Sequence, residues 1–219
     1  DAPKTALWRR DPSAAGTPGE WRDDAQAVDL ALRFSAMGID SADLNGDGRP
    51  DYCLTDIGAP VCLLSDGDDG FVEGSAALGL HDSVSSDSVG WGFELADLDN
   101  DGNVEAAQAS GPAMSGSGPN DGRPLPDLLW EGRADGTFER LISQPTFGNT
   151  NNHLGVVTAD LDGDGAPEIL VAGPGERPLL YRNRCNPNSW LEVGLEGPPG
   201  NAQGFGATVS VQAGGRTWT

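Results

Sequence analysis

Apolar residues in this chain come in short runs divided by Gly-, Pro-, Asp- and Asn-rich breaks, the pattern of many short strands rather than of long helices. The runs recur in a fixed order. Residues 90–96, 104–109, 128–130 and 137–139 predict four strands; residues 37–42, 52–55, 61–64 and 70–72 repeat that order before them. Residues 154–159, 169–172 and 179–181 repeat it again after them. Each unit reads as a four-stranded antiparallel meander about one propeller blade long. A lone sheet of that size cannot bury its faces, so the units must pack radially against one another.

The expected fold is therefore an all-β β-propeller of four-stranded antiparallel blades, with three clear blades at about residues 37–75, 89–142 and 150–184. A half blade lies in residues 1–36, where 6–10 and 19–23 match the last two strands of a blade. From residue 185 the text changes, and strands are expected at 190–195 and 207–212. Those strands either complete the half blade and close a small four-bladed ring, or the blades are a fragment of a larger one.

Between the first and second strands of each unit stands the same nine-residue string: D-L-N-G-D-G-R-P-D at 43–51, D-L-D-N-D-G-N-V-E at 97–105 and D-L-D-G-D-G-A-P-E at 160–168. Oxygen donors fall at positions 1, 3, 5 and 9. They are Asp43, Asn45, Asp47 and Asp51; Asp97, Asp99, Asp101 and Glu105; and Asp160, Asp162, Asp164 and Glu168. Alternate side chains converging on one point build the flexible oxygen cage that Ca²⁺ prefers, and a backbone carbonyl at position 7 (Arg49, Asn103, Ala166) would complete it. Magnesium, with its stricter geometry, fits less well. Positions 4 and 6 carry Gly46 and Gly48, Asn100 and Gly102, and Gly163 and Gly165, residues that tolerate a left-handed backbone. Without metal the carboxylates would repel, by about 4 kcal/mol for each close pair at a surface-like dielectric.

Asp, Asn and Gly also form ordinary solvated turns, so one such string would say little. Three in matching context point to three Ca²⁺ sites. An EF-hand is excluded, because position 12 is Leu54, Gln108 or Val171 instead of a bidentate Glu, and strands rather than helices flank the loops. The string Asp66-Gly67-Asp68-Asp69-Gly70 lacks an acid at its ninth position, Gly74, and reads as a hairpin turn like Asp135-Gly136. Residues 111–126, rich in Gly, Ser and Pro, interrupt the second unit as a solvated or ligand-displaying loop.

The repeated loop between strands, with Gly90-Trp91-Gly92-Phe93-Glu94-Leu95-Ala96-Asp97 and Asp135-Gly136-Thr137-Phe138, resembles the FG-GAP (integrin alpha-like, VCBS) repeat family. The stretch from Asn188-Ser189-Trp190-Leu191, with Gly204-Phe205-Gly206-Ala207 further on, looks like the opening of an UnbV/ASPIC segment, as in the cartilage acidic protein family. The resemblance implies a calcium-loaded propeller, usually of seven blades, that serves outside the cytoplasm in recognition or adhesion. It implies no particular ligand, so the partner is an unspecified protein or glycan. This chain carries fewer blades than such a ring, which leaves blade edges open to self-association.

Net charge is −21, and eleven of the 34 acidic side chains sit in the three loops; three divalent ions would bring the charge to −15. The remaining negative field disfavours nucleic acid, and no apolar run is long enough to insert in a membrane. No signal peptide opens the chain, which reads as a mature or trimmed form; millimolar calcium outside the cell suits a secreted, surface or periplasmic location. Cys53 and Cys62 fall symmetrically about a two-residue turn at Ile57-Gly58, where either a disulfide or two small core side chains would fit. Cys185 has no evident mate. His81 and His153 read as ordinary turn or strand-edge residues, and no carboxylate pair stands out for hydrolysis. A non-enzymatic binding scaffold is expected; the rivals are an enzyme or a lectin built on the propeller and acting on carbohydrate or lipid.

Overall fold

The computed structural model describes residues 6–10, 21–26, 34–67, 70–81, 89–112, 125–141, 147, 150–175, 177–184 and 188–218. These residues form strands and turns and no helix. A short pair opens the chain, β1 (Trp8–Arg10) with β2 (Trp21–Asp23). Unit one is a meander of β3 (Ile39–Ala42), β4 (Asp51–Leu54), β5 (Val61–Ser65) and β6 (Phe71–Glu73).

Unit two contains β7 (Gly90–Ala96), β8 (Glu105–Ser110), β9 (Leu125–Pro126), β10 (Leu128–Gly132) and β11 (Phe138–Arg140). Its four-stranded sheet runs β7-β8-β10-β11. Strand β9 leaves that sheet to pair with β12 (Thr150–Asn151) at the entry to unit three. Unit three pairs β13 (Gly155–Ala159), β14 (Glu168–Ala172) and β15 (Leu179–Tyr181). A last hairpin joins β16 (Val211–Ala213) to β17 (Arg216–Trp218). Every pairing is antiparallel.

The expected four-stranded blades are thus formed in units one and two, with three strands described in unit three. The expected strand at 190–195 is not formed. At the C-terminus, β16 starts at Val211 rather than Ala207 and pairs with β17 instead of extending the β1-β2 pair.

The units stack face to face, and each apolar layer takes residues from two neighbours. Cys53 and Cys62 of unit one, with Leu80 from the connection after β6, meet Phe93, Leu95, Ala106, Leu128 and Trp130 of unit two. Ala107 and Ala109 meet Val156, Ile169 and Val171 of unit three, while Leu54 and Leu63 pack against Ala25 and Leu7 beside the β1-β2 pair. Successive residues of a strand face opposite ways, so Ala106 serves one layer and Ala107 the next.

The first strands of consecutive units lie side by side and share one joint. Asp40 Oδ2 of β3 accepts the Leu95 amide of β7 at 2.8 Å, and Glu94 Oε2 of β7 accepts the Thr158 hydroxyl of β13 at 3.1 Å. Asp40 and Glu94 both stand three residues before their loop's first Asp. Glycine permits the approach. A Cβ on Gly38 would lie 2.3 Å from the Trp91 carbonyl oxygen, and one on Gly92 would lie 2.7 Å from the Val156 nitrogen.

The Cys53–Cys62 disulfide is formed, joining residues directly opposite in the β4-β5 register, and both cysteines are fully buried. The predicted symmetry holds, but the connection is six residues long rather than a two-residue turn. Its buried Thr55 accepts the Gly38 amide at 2.8 Å and donates to the Trp91 carbonyl at 3.1 Å, drawing the hairpin end into the joint between units. Cys185 and most of 111–126 lie outside the described residues.

Candidate metal sites

All three acidic strings fold as the hairpin loop between the first and second strands of a unit, in one register. The residue before position 1 pairs with position 9 each time: Ala42 with Asp51, Ala96 with Glu105 and Ala159 with Glu168. Positions 4 and 6 are left-handed in every copy, with φ of 75° and 79° at Gly46 and Gly48, 57° and 84° at Asn100 and Gly102, and 75° and 83° at Gly163 and Gly165. Asn100 is the sole non-glycine residue with positive φ among the described residues, and asparagine is one of the few side chains that visits this region.

The position 1 carboxylate organises each loop by accepting amides across it. Asp43 accepts from Gly46 and Gly48 at 2.8 and 2.9 Å, Asp97 from Asp101 and Gly102 at 3.1 and 2.9 Å, and Asp160 from Gly163 and Gly165 at 2.8 and 2.9 Å. Position 5 then turns the chain at position 7: Asp47, Asp101 and Asp164 accept the amides of Arg49, Asn103 and Ala166 at 2.9, 2.7 and 2.9 Å. In loop one, Asn45 Oδ1 also accepts the Asp47 amide at 3.0 Å, bringing position 3 to position 5.

The carboxylates of Asp97, Asp99 and Asp101 converge so that one oxygen from each lies within 4.8 Å of the others, and Asp160, Asp162 and Asp164 do the same. Such trios can hold a metal ion. The ninth-position acids lie outside the trios. They are buried beneath the loops and brace them: Asp51, Glu105 and Glu168 accept the position 2 amides of Leu44, Leu98 and Leu161 at 2.7, 2.6 and 3.0 Å.

The other oxygen of each brace differs among the copies. Asp51 Oδ1 accepts Ser65 N at 2.7 Å and Glu105 Oε1 accepts Gly132 N at 3.2 Å, whereas buried Glu168 Oε1 has no partner. An orphaned carboxylate oxygen under three converging carboxylates is a donor set that suits a hard cation.

Electrostatics follows burial. Burial pushes Glu105 up to about 7, with the charges of Asp99 and Asp97 adding to it, and burial likewise raises Asp97 beside Asp101 and Asp99. Asp47 is held below the usual carboxylate range, first by its hydrogen bond from Ser65 Oγ at 2.6 Å. At loop three, Arg182 pairs with Asp162 at 2.9 Å.

A second polar constellation escaped the sequence. His153 is fully buried, its Nδ1 2.6 Å from Asp127 Oδ2, while Asp127 Oδ1 accepts the Ser110 amide at 3.0 Å. The pair ties unit two to unit three. Burial raises the Asp127 carboxyl against the opposing effect of these bonds. His153 is therefore a core residue rather than one at a strand edge. Nothing in a spacing of 26 residues that spans β10, β11 and β12 marks the two as partners. The turn expected at Asp66 to Gly70 is present: Asp66 N donates to Gly70 O, as Arg133 N does to Thr137 O.

Stacked antiparallel blade units, each carrying an acidic hairpin loop between its first two strands, define the β-propeller type of repeat protein. The family model described as FG-GAP-like repeat matches residues 43–107 and 116–171, more than half of the chain. The chain belongs to the FG-GAP-like repeat family. The matched residues take in all three loops and stop short of the C-terminal segment. Comparison with curated proteins gave no significant match.

Proposed function

We propose that the chain is a non-enzymatic calcium-binding β-propeller module, working outside the cytoplasm as an adhesion or ligand-recognition scaffold. The observation that carries this is one hairpin-loop geometry repeated three times over a buried ninth-position acid, with the carboxylates of positions 1, 3 and 5 converging in loops two and three. Asp43, Asn45 and Asp47, Asp97, Asp99 and Asp101, and Asp160, Asp162 and Asp164 would hold three ions, with the carbonyls of Arg49, Asn103 and Ala166. Mixed carboxylate, amide and carbonyl oxygens on a flexible loop favour calcium over magnesium. A bound ion would draw on the oxygens of Asp51, Glu105 and Glu168 as well, most readily the orphaned oxygen of Glu168.

The buried disulfide and the repeat family are compatible with an extracellular setting. Beside the loops a groove of about 930 Å³ runs between units one and two, with Asn45, Asp47, Asn103, Arg133, Arg216 and Trp218 on its walls. It offers a protein or glycan ligand both charge and an aromatic face. Ile39 and Val157, 61% and 48% exposed on the open faces of units one and three, are where further blades or a second copy would pack.

Ions that bind the folded chain alone raise its stability. Heat scans in millimolar calcium and in excess chelator should differ by several degrees or more. Superimposable scans would contradict the reading.

A further inference from the structure

Position 6 of the acidic loop is a glycine in all three copies, but its surroundings are not the same. A Cβ built on Gly48 in loop one would meet nothing within 4 Å. On Gly102 in loop two it would lie 2.6 Å from the Trp218 ring, and on Gly165 in loop three 2.1 Å from the Trp190 ring. Two tryptophans from opposite ends of residues 188–218 thus each stand on the bend of one loop.

Polar contacts reinforce the first of these seats. Trp218 Nε1 and an Arg216 guanidinium nitrogen donate to the Gly102 carbonyl at 3.3 and 3.2 Å, and the same guanidinium reaches Asn103 Oδ1 at 3.3 Å. Arg216 also lies over the Trp218 ring, 5.3 Å from its centroid. At the other end, Asn188 Nδ2 donates to the Asp99 carbonyl at 2.9 Å. Loops two and three are linked as well, since Asn100 Nδ2 donates to the Gly165 carbonyl at 2.7 Å.

Between these anchors the segment is mostly exposed and ordered by local turns, such as the two bonds between the Asn201 side chain and the Phe205 backbone. Residues 190–195 pair with no strand, and Leu191, Val193 and Phe205 are open to solvent. The segment's grip on the blades is concentrated on the two loops.

We infer that residues 188–218 form a clamp that tightens ion binding in loops two and three and leaves loop one unassisted, so the three sites divide into two affinity classes. The inference rests on the calcium reading above. A ring laid on the position 6 glycine holds the left-handed bend that aims positions 1, 3 and 5 inward. At loop two, where Asp97 and Asp99 are half-buried, it also removes water from one side of the loop, which strengthens attraction between ion and oxygens. Arg216 brings a positive charge to loop two, so the gain there comes from ordering and drying the loop and not from charge. Coupling is reciprocal: ions in these loops hold the clamp down as firmly as the clamp holds them.

Calorimetric titration of calcium into the apo chain, and into Trp218→Ala and Trp190→Ala, tests this together with hydrogen exchange read by mass spectrometry. The native chain should show two tighter sites and one weaker. Trp218→Ala should weaken one tight site by about tenfold and Trp190→Ala the other, the scale seen when groups supporting a metal ligand are removed. Calcium should slow exchange in residues 211–218 of the native chain. Three sites of unchanged affinity in both variants, or calcium protection confined to the loops, would overturn the clamp and leave the calcium reading standing. No calcium uptake by the native chain would overturn both.

Discussion

Units two and three share a strand order and an acidic loop, yet all six residues of β8 are buried while β13 and β14 leave much of one face open. Unit two is covered on both sides and unit three on one. Composition tracks the difference: β8 carries Ala106, Ala107 and Ala109, small residues that let sheets approach from either face, whereas the unit three strands carry Val157 and Leu170 toward their open side. The joint changes too. Where Asp40 and Glu94 bond the next unit, unit three has Val157, an exposed apolar side chain that can accept no hydrogen bond. Position in the stack, more than the repeat itself, decides what each strand residue does.

The largest effect should come from Trp130, fully buried in the layer between units one and two, its ring 6.4 Å from Phe93. Trp130→Ala should cost about 3–5 kcal/mol in urea unfolding through the cavity it leaves. A loss below 1 kcal/mol would mean that the two units do not share a core.

Calcium-free protein should respond to pH through Glu105. Its folded-state pKa is pushed up from 4.5 to about 7, so the folded form keeps a proton that the unfolded chain releases. Stability should therefore be greatest below pH 4.5 as far as this group is concerned and fall as pH rises toward 7, by about 1–3 kcal/mol. Glu105→Gln should flatten that profile, and calcium should reverse it by stabilising the carboxylate. A chelated protein whose midpoint does not move between pH 5 and 8, other carboxylates accounted for by the Gln variant, would count against a buried brace.

The smallest effect separates the two joints. Glu94→Ala removes the bond from Thr158 and should cost about 1 kcal/mol, while Val157→Ala, on the uncovered face, should stay within about 0.5 kcal/mol. Equal losses would show that the face of unit three is covered in solution, and sedimentation of the native chain would then reveal the partner copy.

The strand order and the acidic loops are legible because both are local: apolar alternation sets the strands, and glycine or asparagine at positions 4 and 6 sets the bend. The Cys53–Cys62 bridge was readable as one of two options because hairpin symmetry is also local. What the text did not disclose is contact between units. Asp40, Glu94 and the Asp127–His153 pair bond residues 26 to 64 positions away, and no spacing marks them. The ninth-position acids looked like ligands equal to the rest; only folding shows them buried, holding the amides of Leu44, Leu98 and Leu161. The strand expected at 190–195 does not form because Trp190, which looks like a sheet former, instead has its ring seated on the Gly165 bend of loop three.

Three ions in three repeated loops is the claim on which the rest depends, and the direct measurement is calcium bound per chain after exhaustive dialysis against buffered millimolar calcium, by elemental analysis. The account predicts three, falling to two in Asp99→Ala and in Asp162→Ala, and to one when both are combined. A native chain that retains none, or that retains three in the combined variant, would contradict it.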